Sequence, residues 1–538
     1  MLTQGSNRVV PMNGYYLGVD AGSASVRAGL FSSRGERLAF ATRPISQFHD
    51  EGHCVEQSSD EIWTAVGEAV REAVTTSHIA PERIKGIGFD ATCSLVMLGS
   101  AGEPLSVSPS GDPQRNIVMW MDHRATRETE EINATEDRAL QYVGGKVSVE
   151  MQLPKILWLK RHYPERYAQC ARLLDLADFL VWKATGADIA SVCTLTCKWN
   201  YLAHENQFSA SLLSAMGLED VLARIPPVIL PLGSAAGKLS PQAARAFGLP
   251  EGIAVATGII DAHAGGLALL AGDPEGSLAL IGGTSNCHMI VSREPCQVAG
   301  VWGPYWNAML PEWWLNEGGQ SAAGALVEWT IAQHEAWPAL EQEAKQRGVS
   351  HWQLLNEWVS DLEQRDPFPT RALHVLPDHH GNRSPRADPL ARGAVFGLTL
   401  ERGRDGLARQ YLATLQGIAL GTRHIIDVMQ QAGHHVSRLF LCGGVTRNTL
   451  WLREYANATG RTLHLAAEED VVTLGAALLG AVASGEYADF ASAARQMVRP
   501  GAVIAADAEK HSFFAAKYRV FLQMYDDQQR AAALMQYA

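Results

Sequence analysis

The residues from 14 to 31, GYYLGVDAGSASVRAGLF, place a carboxylate at the head of a short polar turn. An apolar run ends in Asp20, small residues follow, and Arg27 opens a second apolar run. A turn of Gly and Ser can aim backbone N–H groups and hydroxyls at phosphate oxygens. Taken alone, the turn is read equally well as a tight hairpin without a ligand. Asp20 favours the phosphate site, because an acid beside a phosphate calls for a divalent cation such as Mg²⁺ between them.

A second turn of this kind lies in LALIGGTSNCHMIVS, residues 278–292. Its Gly283 and Thr284 align with Gly22 and Ser23 of the first turn, while an isoleucine stands opposite the aspartate. Two such turns on facing domains would hold a polyphosphate from both sides. Only the first offers a carboxylate for a metal.

The elements around the turns repeat in the same order. In each half, a strand, a Gly-containing turn and a strand are followed by a helical pattern and then a buried strand, RIKGIGFDA (83–91) or VSRLFLCGGVTRN (436–448). The repeat predicts two related α/β domains joined near residues 257–266. Neither a G-x-x-x-x-G-K-[ST] loop nor a G-x-G-x-x-G motif opening a helix after the first strand occurs, so neither a P-loop nor a dinucleotide fold is supported.

Composition narrows the class of protein further. The chain has 538 residues and a net charge of -12, which argues against nucleic acid and anionic membranes as main partners. No apolar run reaches the length of a membrane span, and no secretory signal is visible at the start. Eight scattered cysteines fit reduced thiols. We therefore expect a cytoplasmic protein.

An ordered set of short motifs resembles the FGGY family of carbohydrate kinases over residues 14 to 490. The motifs are DAGSASVR (20–27), WMDHRA (120–125), LPKILWL (153–159), TGIIDAHAGG (257–266), IGGTSN (281–286), NEGGQSAAGALVEW (316–329) and LCGGVTRNTLWLREYANATG (441–460). Each is weak alone, and their order is specific. The resemblance implies two ribonuclease H-like α/β domains of the actin, hexokinase and Hsp70 ATPase superfamily, with an interdomain cleft. It also implies ATP-dependent phosphorylation of a sugar hydroxyl.

The resemblance assigns roles residue by residue. It places Asp20 near Mg²⁺, directly or through water, and Asp261 as the catalytic base. The residues that it implies for binding ATP and its phosphates are Gly22, Ser23, Ser25, Arg27, Gly283, Thr284, Ser285, Gly324, Gly443, Gly444 and Asn448.

The chemistry supports Asp261 as well. A sugar hydroxyl is a poor nucleophile at neutral pH, so a carboxylate must accept its proton as the bond to phosphorus forms. Asp261 ends the apolar run IAVATGII, which predicts a strand leading to the cleft. The alternative is an N-cap for the helix that follows, and both roles can coexist.

The sugar is harder to read. Asp90 ends a predicted buried strand beside Ala91, and Lys198, His263 and Glu317 match the ribulokinase-like branch of the family. Lys198 can also be read as a surface lysine, and Glu317 as a structural carboxylate. We expect transfer to the terminal hydroxyl of a ketopentose, D-ribulose before L-ribulose, with xylulokinase and pentitol kinase as alternatives. A non-kinase alternative is an actin- or Hsp70-like ATP-binding module.

The predicted organisation has three parts. Residues 14–271 form an N-terminal domain with the sugar site, the first phosphate turn and Asp261; residues 272–490 form an ATP-binding domain; residues 491–538 form a helical extension. The partners expected are a sugar and ATP, with a homodimer as the assembly. For the tryptophans between 302 and 314 we favour a role in packing over stacking on a sugar.

Overall fold

The computed structural model of the chain describes residues 14–50 and 53–535. Its strands are β1 Tyr15–Ala21, β2 Ser25–Ser32, β3 Arg37–Pro44, β4 Phe48–Asp50, β5 Cys54–Gln57, β6 Ile84–Ala91, β7 Leu95–Leu98, β8 Ile117–Val118, β9 Arg172–Asp175, β10 Ile189–Ser191, β11 Tyr201–Leu202, β12 Gln207–Phe208, β13 Val228–Leu230, β14 Ala235–Lys238, β15 Ala254–Ala256, β16 Ile259–Ile260, β17 Ser277–Gly282, β18 Asn286–Ser292, β19 Trp302–Trp306, β20 Trp314–Gln320, β21 His374–Leu376, β22 Ala394–Phe396, β23 Arg438–Cys442, β24 Thr462–Ala466 and β25 Pro500–Ile504.

The helices are α1 Ser59–Ser77, α2 Thr126–Asn133, α3 Gln152–His162, α4 Pro164–Gln169, α5 Leu176–Thr185, α6 Val192–Lys198, α7 Ala210–Met216, α8 Pro241–Phe247, α9 Asp261–Leu270, α10 Gly324–Ala332, α11 Trp337–Arg347, α12 His351–Arg365, α13 Gly403–Gln431, α14 Thr449–Thr459, α15 Val471–Ala483, α16 Phe490–Met497 and α17 His511–Met535. None of the helices in the described ranges is both long and apolar enough to cross a membrane.

Two seven-stranded sheets carry the fold and share one strand order. In the first, β1 pairs antiparallel with β2 and parallel with β6. In the second, β17 pairs antiparallel with β18 and parallel with β23. The order β3-β2-β1-β6-β15 repeats as β20-β18-β17-β23-β24. The internal repeat read from the sequence is therefore present in the three-dimensional structure.

Two helices join the sheets by crossing over. Helix α15 belongs to the second half of the chain but lies on the first sheet, where a Cβ on Gly18 would stand 1.9 Å from the carbonyl oxygen of Thr473. Helix α9 belongs to the first half but packs on β17 of the second sheet. The helices touch where a Cβ on Gly475 would stand 2.0 Å from the carbonyl oxygen of Ala264. Glycine is needed at both contacts because backbone meets backbone there.

Some elements differ from the sequence pattern. The run IAVATGII forms two short strands, β15 and β16, and both pair with β6. The run LPKILWLKRHYPERY (153–167), whose spacing predicts one helix, divides into α3 and α4 before Pro164, because proline has no N–H to donate and disfavours helix at the residue before it. The segment predicted as a helical extension holds α16 and α17, and it also supplies β25, which pairs with β24. Helix α17 packs on β21 and α14 and buries Phe514 and Phe521.

Candidate active site

A cleft of about 380 Å³ opens between the carboxyl ends of the central strands of the two sheets. From the first half it is lined by Ser23, Arg27, Thr92, Cys93, Trp120, Glu150, Lys198, Ile260, Asp261 and Ala262. From the second half it is lined by Ile281, Gly282, Gly283, Thr284, Ser285, Cys287, Trp302, Glu317, Arg383, Gly443, Gly444 and Val472. Both predicted phosphate turns and the predicted base thus face one space.

The first turn is held through its carbonyls. The N–H of Gly22 donates to the carbonyl of Ser25 at 3.0 Å, and the carbonyl of Ser23 accepts the Gln47 and Gln57 amides at 2.9 Å each. The N–H groups of Ser23 and Ala24 find no acceptor among the described residues. A Cβ on Gly22 would meet nothing closer than 3.4 Å. Two free donors and open space above the glycine suit a bound anion.

The second turn follows the same plan with a different support. The N–H of Gly283 donates to the carbonyl of Ser285 at 2.9 Å. The first turn of α10 holds the loop from behind, since the N–H of Gly324 donates to the carbonyl of Gly283 at 3.0 Å. The N–H groups of Thr284 and Ser285 have no acceptor in the described part of the chain. Gly324 therefore supports the turn, and a Cβ there would stand 2.7 Å from the Gly283 carbonyl.

The loop after β23 completes the second-half wall. Gly443 has a φ of +89°, and a Cβ on it would stand 2.3 Å from the carbonyl oxygen of Gly282. A Cβ on Gly444 would meet no described atom within 4 Å. Asn448, which the sequence places at the nucleotide, is the N-cap of α14 and donates from Nδ2 to Tyr411 Oη at 2.7 Å. It does not line the cleft, so its nucleotide contact stays a prediction.

Carboxylates converge at the ends of three adjacent strands. Asp20 and Asp90 are direct neighbours on the parallel strands β1 and β6, and Asp261 follows β16. Asp20 is 0% exposed and ion-paired with Arg27, which also reaches Asp470 at 3.1 Å. Burial raises the pKa of Asp20 to about 6 against the pull of Arg27. Burial and the Asp20 charge raise the pKa of Asp90 well above its usual range.

The residues present fit a divalent cation at this corner. Asp20 is ion-paired with Arg27 and hydrogen-bonded to the carboxyl of Asp90, whose pKa is raised by burial and by the Asp20 charge. Arg27 is ion-paired with both Asp20 and Asp470, so one guanidinium faces two carboxylates. The described residues contain no cluster of three metal-ligating side chains. Mg²⁺ suits such a site, because it is commonly held by one carboxylate, with water and phosphate oxygens completing its shell.

Asp261 is the first residue of α9 and lines the cleft between the two turns. Its Oδ1 accepts the N–H of Ala262 at 2.7 Å, while the N-cap position itself is Ile260. The first turn of the helix thus orients the Asp261 carboxylate. Asp261 contacts a backbone N–H of the helix, as the capping alternative expected, but it does not occupy the N-cap position. Burial raises the pKa of Asp261, and the N–H of Ala262 opposes that shift.

The other end of the cleft carries paired charges. Lys198 ends α6, is 3% exposed and lies 4.3 Å from the ring centre of Trp302, so it is not a surface lysine. Glu317 Oε2 lies 3.3 Å from Nε2 of the fully buried His263. Burial alone would raise the pKa of Glu317, but Lys198 and His263 outweigh it and lower this pKa to about 2. Glu317 is therefore an ionised hydrogen-bond acceptor next to the His263 imidazole.

Several predicted sugar residues lie behind the cleft surface. Asp90 and Ala91 are fully buried and do not line the cleft, whose wall at that point is Thr92 and Cys93. His263 stands behind Glu317. Ser25, placed in the first turn, is also absent from the lining. Sugar contacts by Asp90, Ala91 and His263, and a phosphate contact by Ser25, stay predictions.

The structure also adds residues that the sequence reading missed. Trp120 donates from Nε1 to Ser23 Oγ at 2.9 Å and so holds the first turn. The sequence could have indicated this role, since Trp120 is the first residue of the WMDHRA motif. Glu150 and Arg383 meet at 3.0 Å across 233 positions of sequence, and no local pattern marks either.

Comparisons with known proteins agree with this geometry. Residues 15–268 match the N-terminal domain, and residues 278–484 the C-terminal domain, of the FGGY family of carbohydrate kinases. The chain is 45% identical to the human FGGY carbohydrate kinase domain-containing protein over 97% of this chain and 98% of that one. It is 37% identical to a D-ribulokinase of Saccharomyces cerevisiae over 88% of this chain and 72% of the relative.

A solved structure confirms the predicted two-domain fold. The xylulose kinase of Rhodospirillum rubrum superposes with a TM-score of 0.81 at 23% identity, covering 96% of this chain and 99% of that one. At this sequence identity the similarity supports the same fold but does not identify the sugar that the chain binds.

Proposed function

The chain belongs to the FGGY family of carbohydrate kinases, and we propose that it transfers the γ-phosphate of ATP to the terminal O5 of a ketopentose, D-ribulose first. The observation that carries the proposal is one cleft lined by Asp261, residues of both phosphate turns, Lys198 and Glu317. The similarity to a D-ribulokinase supports the choice of sugar.

The sugar end suits an uncharged polyhydroxylated acceptor. Lys198 offers hydrogen-bond donors, and the ionised Glu317 offers acceptors. Such charge-assisted hydrogen bonds can orient hydroxyls, which have both a donor and acceptors. Trp302 adds an apolar face beside Lys198. These groups would fix the sugar with its terminal hydroxyl towards Asp261.

Asp261 would act as the general base. Its carboxylate, oriented by the N–H of Ala262, would accept the hydroxyl proton as the bond to phosphorus forms. The free N–H groups of the two turns and Arg27 would stabilise the charge on the transferring phosphoryl group. Mg²⁺ held at Asp20 would supply further neutralisation of the phosphate charge.

The test is a coupled ADP-release screen with D- and L-ribulose, D- and L-xylulose, ribitol, arabinitol and glycerol. We expect the largest kcat/KM with D-ribulose, and ³¹P NMR of the product should show a phosphate on O5. A clear preference for xylulose or a pentitol would replace the proposed sugar. ADP release that no acceptor stimulates would contradict the kinase proposal and favour an ATP-binding module.

A further inference from the structure

An ion pair crosses the cleft from one half of the chain to the other. Nη2 of Arg383 donates to Oε1 of Glu150 at 3.0 Å, and both side chains are 13% exposed. Both line the cleft, at the end where Lys198 and Glu317 lie. The Arg383 guanidinium also lies 5.4 Å from the ring centre of Trp302.

Glu150 is tied to the first phosphate turn. Lys155, fully buried in α3, donates to the Glu150 carbonyl at 3.4 Å and to the carbonyls of Met119 and Trp120 at 2.8 and 3.2 Å. Trp120 in turn donates to Ser23 Oγ. One ammonium group therefore fixes the loop of Glu150 to the residue that holds the turn.

Arg383 is tied to the second phosphate turn. The N–H of Ser384 donates to the carbonyl of Gly319 at 3.1 Å, and the Arg383 stem lies so close to Gly319 that a Cβ there would be 2.8 Å from Cδ. Gly319 pairs with Cys287 on the strand that leaves the second turn. Arg383 is thus anchored beside the strand that leaves that turn.

We propose that Glu150 and Arg383 form an interdomain latch that closes the sugar end of the cleft. The inference rests on the proposed function, because the latch matters only to a reaction that needs both halves together. Neither residue is assigned to the chemistry; both are positioning residues. Loss of one partner leaves a partly buried charge unpaired, so the closed arrangement loses more than the bond itself.

The test is a double-mutant cycle with Glu150→Gln, Arg383→Gln and the double variant. Each single change should raise the KM for D-ribulose about tenfold while the KM for ATP changes less than about twofold. The double variant should be no worse than the worse single variant. Effects that multiply in the double variant, or equal changes in both KM values, would overturn the latch.

A measurement without turnover separates the latch from the proposed function. Hydrogen exchange in segments 148–151 and 377–384 should speed up in both single variants of the free protein. Glu363→Gln is the matched control, since Glu363 and Arg453 form an ion pair within the second half at 2.7 Å, and exchange in the two segments should not change in it. Unchanged exchange in Glu150→Gln and Arg383→Gln would reject the latch. Absence of ribulose phosphorylation by the unmodified protein would reject only the proposed sugar.

Discussion

The two phosphate turns share a backbone plan and differ at one cross-strand pair. Asp20 faces Arg27 across the first hairpin, and Ile281 faces Cys287 at the equivalent place in the second. Both turns leave two N–H groups free within the described chain, and both use their carbonyls to anchor the loop. The repeated fold thus supplies two candidate anion sites, and only the first has a charged cross-strand pair, Asp20 and Arg27.

Because of that difference, the two hairpins would contact Mg-ATP through different groups. In the proposed function the second hairpin would hold phosphate through backbone and hydroxyl donors, which carry no net charge that folding must bury. The first hairpin would hold its cation through a buried carboxylate, and burial raises the pKa of Asp20 to about 6. The loss of stability that comes with a buried charge therefore falls on one hairpin alone.

The largest expected effect comes from the carboxylate between the hairpins. Asp261→Asn should lower kcat at least about 100-fold, because an amide at this position cannot accept the hydroxyl proton. ATP should still bind, as measured by isothermal titration. A near-normal transfer rate would remove Asp261 from the role of base.

The next prediction sets the two hairpins against each other. Asp20→Ala should lower kcat with Mg-ATP about 100-fold and leave ribulose binding nearly unchanged. The equivalent Ile281→Ala should change kcat less than about threefold, since no charge is lost there. The combined variant Asp20→Ala/Ile281→Asp should not recover activity. Recovery would show that either hairpin can serve the metal.

The pH dependence of kcat/KM should reflect the ionisation of Asp20 in the first hairpin. Asp20 must be ionised to hold a cation, and its pKa near 6 means that kcat/KM should fall as the pH drops through about 6. The raised pKa of Asp261 acts in the same direction, because the base must be ionised too. A kcat/KM profile that stays flat down to a pH of about 4.5 would contradict both assignments.

The smallest effect concerns stability. The folded-state pKa of Asp90 is raised, so the unfolded chain ionises first, and stability falls as the pH rises from the unfolded pKa of about 4 towards the raised folded pKa. Asp90→Asn should therefore raise Tm by about 2 °C at a pH of about 7, and the gain should vanish near a pH of about 3, where aspartate is protonated in both states. A lower Tm at neutral pH would mean that Asp90 is held ionised by a partner. A ribulose KM that rises alone would support the predicted sugar contact of Asp90.

Much of this site was readable from the sequence, for physical reasons. The Gly- and hydroxyl-rich turns, the repeat and the strand end at Asp261 are local features, and each maps onto its expected place. The Glu150–Arg383 pair was not readable, because its members are 233 positions apart in irregular segments. The burial of Asp90 beneath the cleft was also hidden. A strand end predicts the edge of the sheet, not which of its last residues faces solvent.

The crossed helices α9 and α15 have a consequence for how the chain can be divided. A cut between them, in the stretch from 271 to 276, would leave each fragment with a helix whose sheet is on the other fragment. Neither piece would have a closed core alone, whereas the two together would regain every contact. We therefore expect the two fragments to fold only when they are mixed, and activity to return only in the mixture.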